Sequence, residues 1–182
     1  GTAIIAVANG GLTIKTLLES FTATARSTAM IFFIVLGAGT YNGFLARTNV
    51  PQELSNWVVA QGFAPIVVLL IILVFYLVMG CLMDSLSMIL LTIPIFYPAM
   101  IALDWGGMSV EQVSIWFGII VLIVVEVGLI TPPVGMNLFI INAMEKTTPM
   151  SETYKAVMYF VASDIVRVIL LVAFPSITLF LL

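Results

Sequence analysis

The sequence predicts an all-α, polytopic integral membrane protein. Of its 182 residues, 62% are hydrophobic and 8% are charged, and histidine is absent. The apolar residues form charge-free runs, most of them near the roughly 20 residues that a membrane-spanning helix needs. These runs cover 27–46, 54–83, 85–103 and 112–125. Several spans in one chain indicate a membrane domain rather than a soluble core.

A proline pair interrupts the apolar segment that extends from Ile115 to Met144. Pro132 and Pro133 stand between Gly128 and Gly135. Proline removes a backbone donor, and in hydrocarbon each freed carbonyl needs a partner. Such a break survives only where protein, water or an ion supplies that partner. The break therefore predicts a binding site.

The first two elements follow from amphipathicity and an interfacial tryptophan. Residues 12–46 are predicted to form an amphipathic helix at the interface that continues into a span. After a turn at 47–51, residues 52–62 are polar enough, with Trp57 as an anchor, to form an interfacial arm along the membrane surface.

Residues 64–103 admit two arrangements. Either the first helix crosses fully, or it descends part way, turns at the polar residues 84–87 and returns as a re-entrant hairpin. The positive-inside rule compares the Lys and Arg residues of short loops on the two sides. With the hairpin, four of these residues (Lys15, Arg26, Lys146 and Lys155) lie on one side of the membrane and Arg47 lies on the other. With the full crossing, Lys15 and Arg26 lie on one side and the other three lie opposite. This asymmetry favours a hairpin that enters from the outer face.

The remaining elements are a broken helix over 112–144 and a last span over 152–182. Asp164 and Arg167 lie one turn apart in the last helix, which is predicted to run to Leu182, so they can neutralise each other in a bundle. We treat 1–182 as a single transmembrane domain.

The hairpin tip and the break are predicted to face each other near mid-membrane. In transporters of this design, half-helix N-termini attract anionic substrate groups, and unwound carbonyls coordinate sodium. The candidates at the tip are Asp84, Ser85 and Ser87. Those at the break are the carbonyls around Gly128 and Thr131, the Thr131 hydroxyl, Gly135 and the Asn137 amide.

Two carboxylates leave alternatives open. Glu126 lies in the span about one turn before the break, where an ionised carboxylate costs several kcal/mol unless it is paired or hydrated. It is either a structural glutamate, protonated or paired with a residue such as Arg167, or a group that couples a cation or proton. Asp84 either caps the returning helix of the hairpin or takes part in the site.

Other function classes find no support in the sequence. A net charge of −3 and a pI near 4.6 argue against nucleic-acid binding, because no basic stripe is present to neutralise phosphates. There is no His-containing triad, no metal cluster and no phosphate-binding loop, and the lone Cys81 has no histidine to activate it. The chain is predicted not to be an enzyme.

Three motifs carry a resemblance to a known family. They are GCLMDSLSM at 80–88, PIFYP at 94–98 and EVGLITPPVGMNLF at 126–139. Together they resemble the large membrane (permease) subunit of TRAP, or tripartite ATP-independent periplasmic, transporters. The resemblance extends over essentially the whole chain, which is similar to the C-terminal repeat of that subunit.

The resemblance implies a secondary transporter, driven by sodium, that imports a small organic anion such as a dicarboxylate or another organic acid. A periplasmic binding protein would deliver the anion. The implied fold has two inverted repeats, each with a re-entrant hairpin and a broken helix, that move as an elevator against a scaffold. The protein would be multi-pass in the inner membrane of a bacterial or archaeal cell.

The resemblance also implies roles for residues and partners. The break would line one sodium site and part of the substrate cavity, and the hairpin would be the outward-side one. Substrate would contact Ser85, Ser87, Pro132, Pro133 and Asn137. Sodium, the coupling ion and the one expected ligand besides substrate, would contact Gly128, Thr131, Gly135, Asp84 and Glu126. Expected partners are a small membrane subunit, the binding protein, the N-terminal repeat of the same permease and the lipid bilayer.

Two other functions stay open beside this one. The first is another sodium-dependent carboxylate carrier with a similar hairpin and break. The second is a non-transporting membrane scaffold subunit, in which the break has only a structural role.

Overall fold

The computed structural model describes residues 13–144 and 149–180, and these form eight α-helices and no strand. Four of the helices are long and apolar enough to cross a membrane, namely α1, α4, α5 and α7, whereas α3 is a shorter apolar helix of 16 residues. The all-α, polytopic prediction is confirmed. The helices are α1 (Ile14–Thr48), α2 (Val50–Ala60), α3 (Pro65–Gly80), α4 (Ser85–Ala102), α5 (Val110–Ile130), α6 (Met136–Met144), α7 (Met150–Ala173) and α8 (Ser176–Leu179).

The chain forms two compact units. The first extends to Thr40, and its described part belongs to the single long helix α1. The second runs from Tyr41 to Leu182 and holds the hairpin and the broken helix. All candidate site residues of the sequence lie in this second unit.

Helices α3 and α4 form a helical hairpin at the predicted place. Pro65 begins α3, where its missing N–H costs nothing because the first turn has no acceptor for it. Residues 81–84 connect the two helices, and the Asp84 carboxylate accepts a 2.9 Å hydrogen bond from the Ser87 amide. Asp84 therefore caps α4, one of the two roles left open for it. The re-entrant placement of the hairpin stays a prediction.

Helix α4 continues through Pro94 and Pro98 because a side chain replaces a missing donor. Pro94 has no N–H to give to the carbonyl of Leu90, four residues earlier. The Asn42 side-chain amide lies 3.3 Å from that carbonyl and donates to it. Helix α2 packs on the other end of α4, where the buried Ser55 hydroxyl donates to the carbonyl of Pro98 at 3.2 Å.

The structure corrects the end of the last helix. The sequence predicts a helix to Leu182, but α7 ends at Ala173 and the short α8 follows. Pro175 lies between them and cannot donate to the carbonyl of Leu171. The indole N–H of Trp116 donates to this carbonyl instead, at 2.8 Å in the buried core. The same physical arrangement therefore occurs twice: a proline frees a carbonyl, and a side chain from another helix satisfies it.

Helix α5 lies at the centre of the second unit. It begins at Val110, slightly earlier than predicted, because Ser109 and Gln112 form a reciprocal capping box. Its buried face packs against α3, α4 and α7. The largest side chains that this core buries fully are Trp116, Tyr76, Phe117, Leu69, Met88, Met100 and Ile120. The core therefore holds the first part of the broken helix firmly, up to the break itself.

Candidate functional site

The broken helix is confirmed at the proline pair. Helix α5 ends at Ile130 and α6 begins at Met136. The intervening segment contains the cis Pro132–Pro133 bond and Gly135, whose φ of +58° is the left-handed conformation that glycine adopts most readily. Residues 131–135, which we call the break, thus separate two helices within one apolar segment.

Some backbone groups around the break have protein partners. The Thr131 amide donates to the Gly128 carbonyl at 3.1 Å, and the Thr131 hydroxyl donates to the Val127 carbonyl at 2.6 Å. At the start of α6, the amides of Leu138 and Phe139 both donate to the Gly135 carbonyl. These bonds end α5 and begin α6 cleanly.

Other backbone groups around the break have no partner among the described residues. The carbonyl of Leu129 would need the N–H that Pro133 lacks, and that of Ile130 receives no donor either. On the other side, the amides of Met136 and Asn137 donate to no described acceptor. Free carbonyls at the C-terminal end of α5 therefore stand on one side of the break, and free N–H groups at the N-terminal end of α6 on the other.

Two glycines bring the hairpin against the broken helix. A Cβ added to Gly128 would lie 2.8 Å from the Cα of Gly80, and one added to Gly80 would lie 3.0 Å from the Cα of Gly128. Real Cβ atoms do not approach other heavy atoms at the first of these distances. The ends of α3 and α5 therefore cross backbone to backbone, one turn before the break.

This crossing places the end of α3 beside the break. The buried thiol of Cys81 lies 3.4 Å from the Thr131 carbonyl and 3.3 Å from that of Leu77. A cleft of about 210 Å³ opens between residues 77–82 of the hairpin and residues 131–134 of the break. The hairpin and the break thus meet, with Thr131, Pro132 and Pro133 in the lining of the cleft.

The polar tip of the hairpin is not part of this cleft. Asp84, Ser85 and Ser87 are half-buried at the start of α4, and none of them lines the space beside the break. Asn137 lies in the first turn of α6. The part of the hairpin that touches the break is therefore the end of α3 with Cys81, which the sequence did not place among the site candidates.

The described structure does not pair Glu126 with Arg167, which was one possible partner for a structural glutamate. Arg167 binds Asp164 at 2.8 Å, which confirms the pair predicted within the last helix. Glu126 is exposed and forms no ion pair with a described residue. It lies four residues before Ile130, and therefore on the same face of α5 as the residue whose carbonyl is free.

Sequence reasoning missed Tyr154. This residue lies in the first two turns of α7, and its hydroxyl is 3.0 Å from the carbonyl of Pro133 and 3.0 Å from that of Val134. The prolines signalled that the break needs donors, but no local pattern indicated a tyrosine twenty residues further along the chain.

A cation at the break would have to use backbone and hydroxyl oxygens. Among residues 13–144 and 149–180, no three His, Cys, Asp or Glu side chains lie close enough to hold a metal ion. Sodium is a hard cation for which carbonyl and hydroxyl oxygens are suitable ligands, as in transporters with unwound helices. The donor set at the break is of this kind.

These features define a class of protein: an all-α, polytopic membrane protein with a helical hairpin packed against a broken helix. Residues 2–177 match the family described as "Tripartite ATP-independent periplasmic transporter, DctM component". The chain belongs to this family, whose members are permease subunits of TRAP transporters. It is accordingly a multi-pass protein of the inner membrane.

Curated relatives carry the same family name. The chain is 33% identical over 165 residues to a C4-dicarboxylate TRAP transporter large permease protein of Pseudomonas aeruginosa, covering 91% of this chain and 36% of that protein. It is 26% identical to a sialic acid TRAP transporter large permease protein of Vibrio cholerae, over 93% of this chain and 38% of that protein. The chain thus spans less than two fifths of the length of these two relatives. No solved structure matches it.

Proposed function

We propose that this chain supplies the ion-binding and part of the substrate-binding site of a sodium-coupled TRAP permease. The permease would import a small organic anion that a periplasmic binding protein delivers. Support comes from family membership and from two relatives whose names give C4-dicarboxylate and sialic acid as their substrates. Both substrates are carboxylates, so the proposed substrate class is an organic acid.

One observation carries this proposal: the break leaves backbone groups of opposite polarity without partners among the described residues. The free carbonyls of Leu129 and Ile130 end α5, and the free amides of Met136 and Asn137 begin α6. The end of a helix that carries free carbonyls has a partial negative charge, and the start of the next has a partial positive charge. The first suits a sodium ion and the second suits a carboxylate of the substrate.

The proposed ion site gathers oxygens around the end of α5. The Thr131 hydroxyl gives its proton to Val127, so its lone pairs stay available to a cation. The Gly128 carbonyl accepts one backbone bond, from the Thr131 amide, and keeps a second lone pair. The Gly135 carbonyl already accepts from two amides, those of Leu138 and Phe139, and has less capacity left for a cation. Glu126, one turn before Ile130, would add negative charge nearby. Asp84, which caps α4 and lies outside the cleft, has the least support among the sodium candidates.

The proposed substrate site is the start of α6 with the proline pair. Asn137 would add its side-chain amide to the free backbone N–H groups of the first turn. Pro132 and Pro133 would line the cavity, as they line the cleft beside the hairpin. Ser85 and Ser87 would reach the substrate only if the tip of the hairpin moves toward the break during transport.

The partners follow from the tripartite arrangement that the family name states. We propose a small membrane subunit, a periplasmic binding protein and an N-terminal repeat of the same permease that completes the substrate cavity. The re-entrant hairpin and the elevator movement belong to the same proposal. Transport of this kind needs no catalytic side chain, because no covalent bond is formed or broken.

The test is sodium-dependent uptake in proteoliposomes. The complete permease containing this chain would be reconstituted with its small subunit and loaded binding protein, and uptake of a radiolabelled C4-dicarboxylate and of sialic acid would be measured as sodium is varied. Thr131→Ala is compared with Thr40→Ala, because both hydroxyls donate to the carbonyl four residues earlier, at 2.6 and 3.1 Å. Of the two threonines, only Thr131 belongs to the break.

We expect Thr131→Ala to raise the sodium concentration for half-maximal uptake about tenfold, since an oxygen ligand to a charged group is lost. Thr40→Ala should leave it unchanged. If both variants respond to sodium as the wild type does, the ion does not bind at the break. Assembly without any sodium-dependent uptake of either anion would instead favour a scaffold role.

A further inference from the structure

Tyr154 connects α7 to the break through a single hydroxyl group. Its oxygen lies 3.0 Å from the carbonyl oxygen of Pro133 and 3.0 Å from that of Val134. A phenol has one proton to donate, so the two carbonyls share it in a three-centre hydrogen bond. Tyr154 is half-buried.

The two carbonyls that Tyr154 holds belong to the segment between the helices. Neither Pro133 nor Val134 is helical, and no other hydrogen bond among the described residues reaches their carbonyls. Hydrogen bonds of the helix ends therefore fix α5 up to the Gly128 carbonyl and α6 from the Gly135 carbonyl onward, but they do not fix Pro133 and Val134. Among residues 13–144 and 149–180, the Tyr154 hydroxyl is the group that fixes this part of the break.

We propose that Tyr154 is a positioning residue of the permease, which sets the affinity for sodium by holding the Pro133 and Val134 carbonyls. This inference rests on the proposed function, since it concerns the same ion and substrate site. Tyr154 does not bind the ligand. It fixes the direction in which the chain enters α6, and thereby the position of the free amides of Met136 and Asn137 relative to the free carbonyls at the end of α5.

Loss of the hydroxyl should weaken binding without abolishing transport. Without the shared hydrogen bond, the break samples more conformations, and only a fraction of them has the geometry that binds the ion. The apparent dissociation constant rises as that fraction falls. At saturating sodium the bound geometry is restored, so the maximal uptake rate is kept.

The test compares Tyr154→Phe with Tyr159→Phe in the complete reconstituted transporter. Tyr159 lies on the same helix, is 82% exposed and makes no side-chain hydrogen bond to a described residue, so it controls for the loss of a phenol hydroxyl. We expect Tyr154→Phe to raise the half-maximal sodium concentration about fivefold, the effect of one ordinary hydrogen bond, at an unchanged maximal rate. Tyr159→Phe should match the wild type.

A role in folding alone would give a different result. It would lower the amount of folded permease and the maximal rate, and the half-maximal sodium concentration would stay that of the wild type. That outcome overturns the assignment of Tyr154 while the proposed function stands. Wild-type uptake that does not depend on sodium would overturn the proposed function, and this inference with it.

A second measurement decides the question if Tyr154→Phe does not fold. 3-Fluorotyrosine is introduced at position 154, or at 159 as the control, and the ¹⁹F resonance is followed while sodium chloride or potassium chloride is added. We expect the signal at 154 to move with sodium and not with potassium, and the signal at 159 to stay fixed with both. A fixed signal at 154, in a transporter whose uptake depends on sodium, would overturn the inference.

Discussion

Gly80, the last residue of α3, and Gly128, near the end of α5, meet with their backbones in contact. A Cβ on Gly128 would lie 2.8 Å from the Gly80 Cα and 3.0 Å from the Leu77 carbonyl oxygen. Small residues allow such close approach of helices in membranes. Because this contact lies one turn before the break, it sets the distance between the hairpin and the break, and with it the cleft that Cys81 and Thr131 line.

Gly128→Ala should destabilise the protein and separate the hairpin from the break. The added methyl group would collide with backbone atoms that cannot rotate away, and overpacking of this kind costs about 1–3 kcal/mol. The measurement is the thermal unfolding midpoint in detergent. Gly118→Ala on the same helix is the control, because nothing lies within 4 Å of its added Cβ. An unchanged midpoint in Gly128→Ala would contradict the tight crossing.

Asp84→Asn should preserve both the fold and the sodium response. An asparagine caps a helix about as well as an aspartate, whereas Asp84→Ala should lose about 1 kcal/mol of stability with the bond to the Ser87 amide. Thermal unfolding and sodium-dependent uptake of both variants check this. If Asp84→Asn keeps its stability but needs more sodium for half-maximal uptake, the carboxylate belongs to the ion site after all.

Trp116→Phe should destabilise the core through the carbonyl that Pro175 leaves free. The indole N–H donates to Leu171, and a buried acceptor without a partner costs about 1–3 kcal/mol. Pro175→Ala supplies a backbone N–H, so the same Trp116→Phe change should cost less in that background. This double-mutant cycle is measured by denaturant or thermal unfolding.

The cycle has an internal control. Trp57→Phe removes an indole that is exposed and donates no hydrogen bond to a described residue, so its effect should be small in either background. If Trp116→Phe lowers the stability equally with proline and with alanine at position 175, the lost ring volume, and not the hydrogen bond, explains the lower stability.

Glu126→Gln should leave the stability unchanged and weaken the sodium response. No described residue pairs with this exposed carboxylate, so the fold does not depend on its charge. Its loss removes a negative charge one turn before the free carbonyl of Ile130, which should raise the half-maximal sodium concentration several-fold. Glu111→Gln, an exposed glutamate in the first turn of the same helix, is the control with the same change in charge.

An equal response of the two glutamate variants would assign the effect to overall charge. Full sodium dependence in Glu126→Gln would exclude Glu126 from the ion site.

The sequence predicted the helices and the break because their causes are local. The length of an apolar run shows whether it can span a membrane as a helix. Pro132 and Pro133 interrupt a helix in any surroundings. The cap at Asp84 is local as well, since it joins residues three positions apart. The family motifs at 80–88 and 126–139 likewise led to the membership that the comparison established.

The site was predicted only in part, because its contacts join distant segments. The sequence placed the Asp84 to Ser87 tip against the break, but the glycine crossing brings Cys81 there instead. It also named Arg167 as a possible partner for Glu126, but Arg167 binds Asp164, the pair that the sequence offered as well.

The sequence by itself determined the fold class, the place of the break and the existence of free carbonyls, since a proline lacks its N–H wherever it stands. Only the tertiary structure decided which groups meet those carbonyls: Trp116 for Leu171 and Asn42 for Leu90. It likewise brought Tyr154 to the Pro133 carbonyl, which lies outside both helices of the break. The physical reason is that the need for a donor arises within one helix. The donor comes from another helix, and its place depends on how the helices pack.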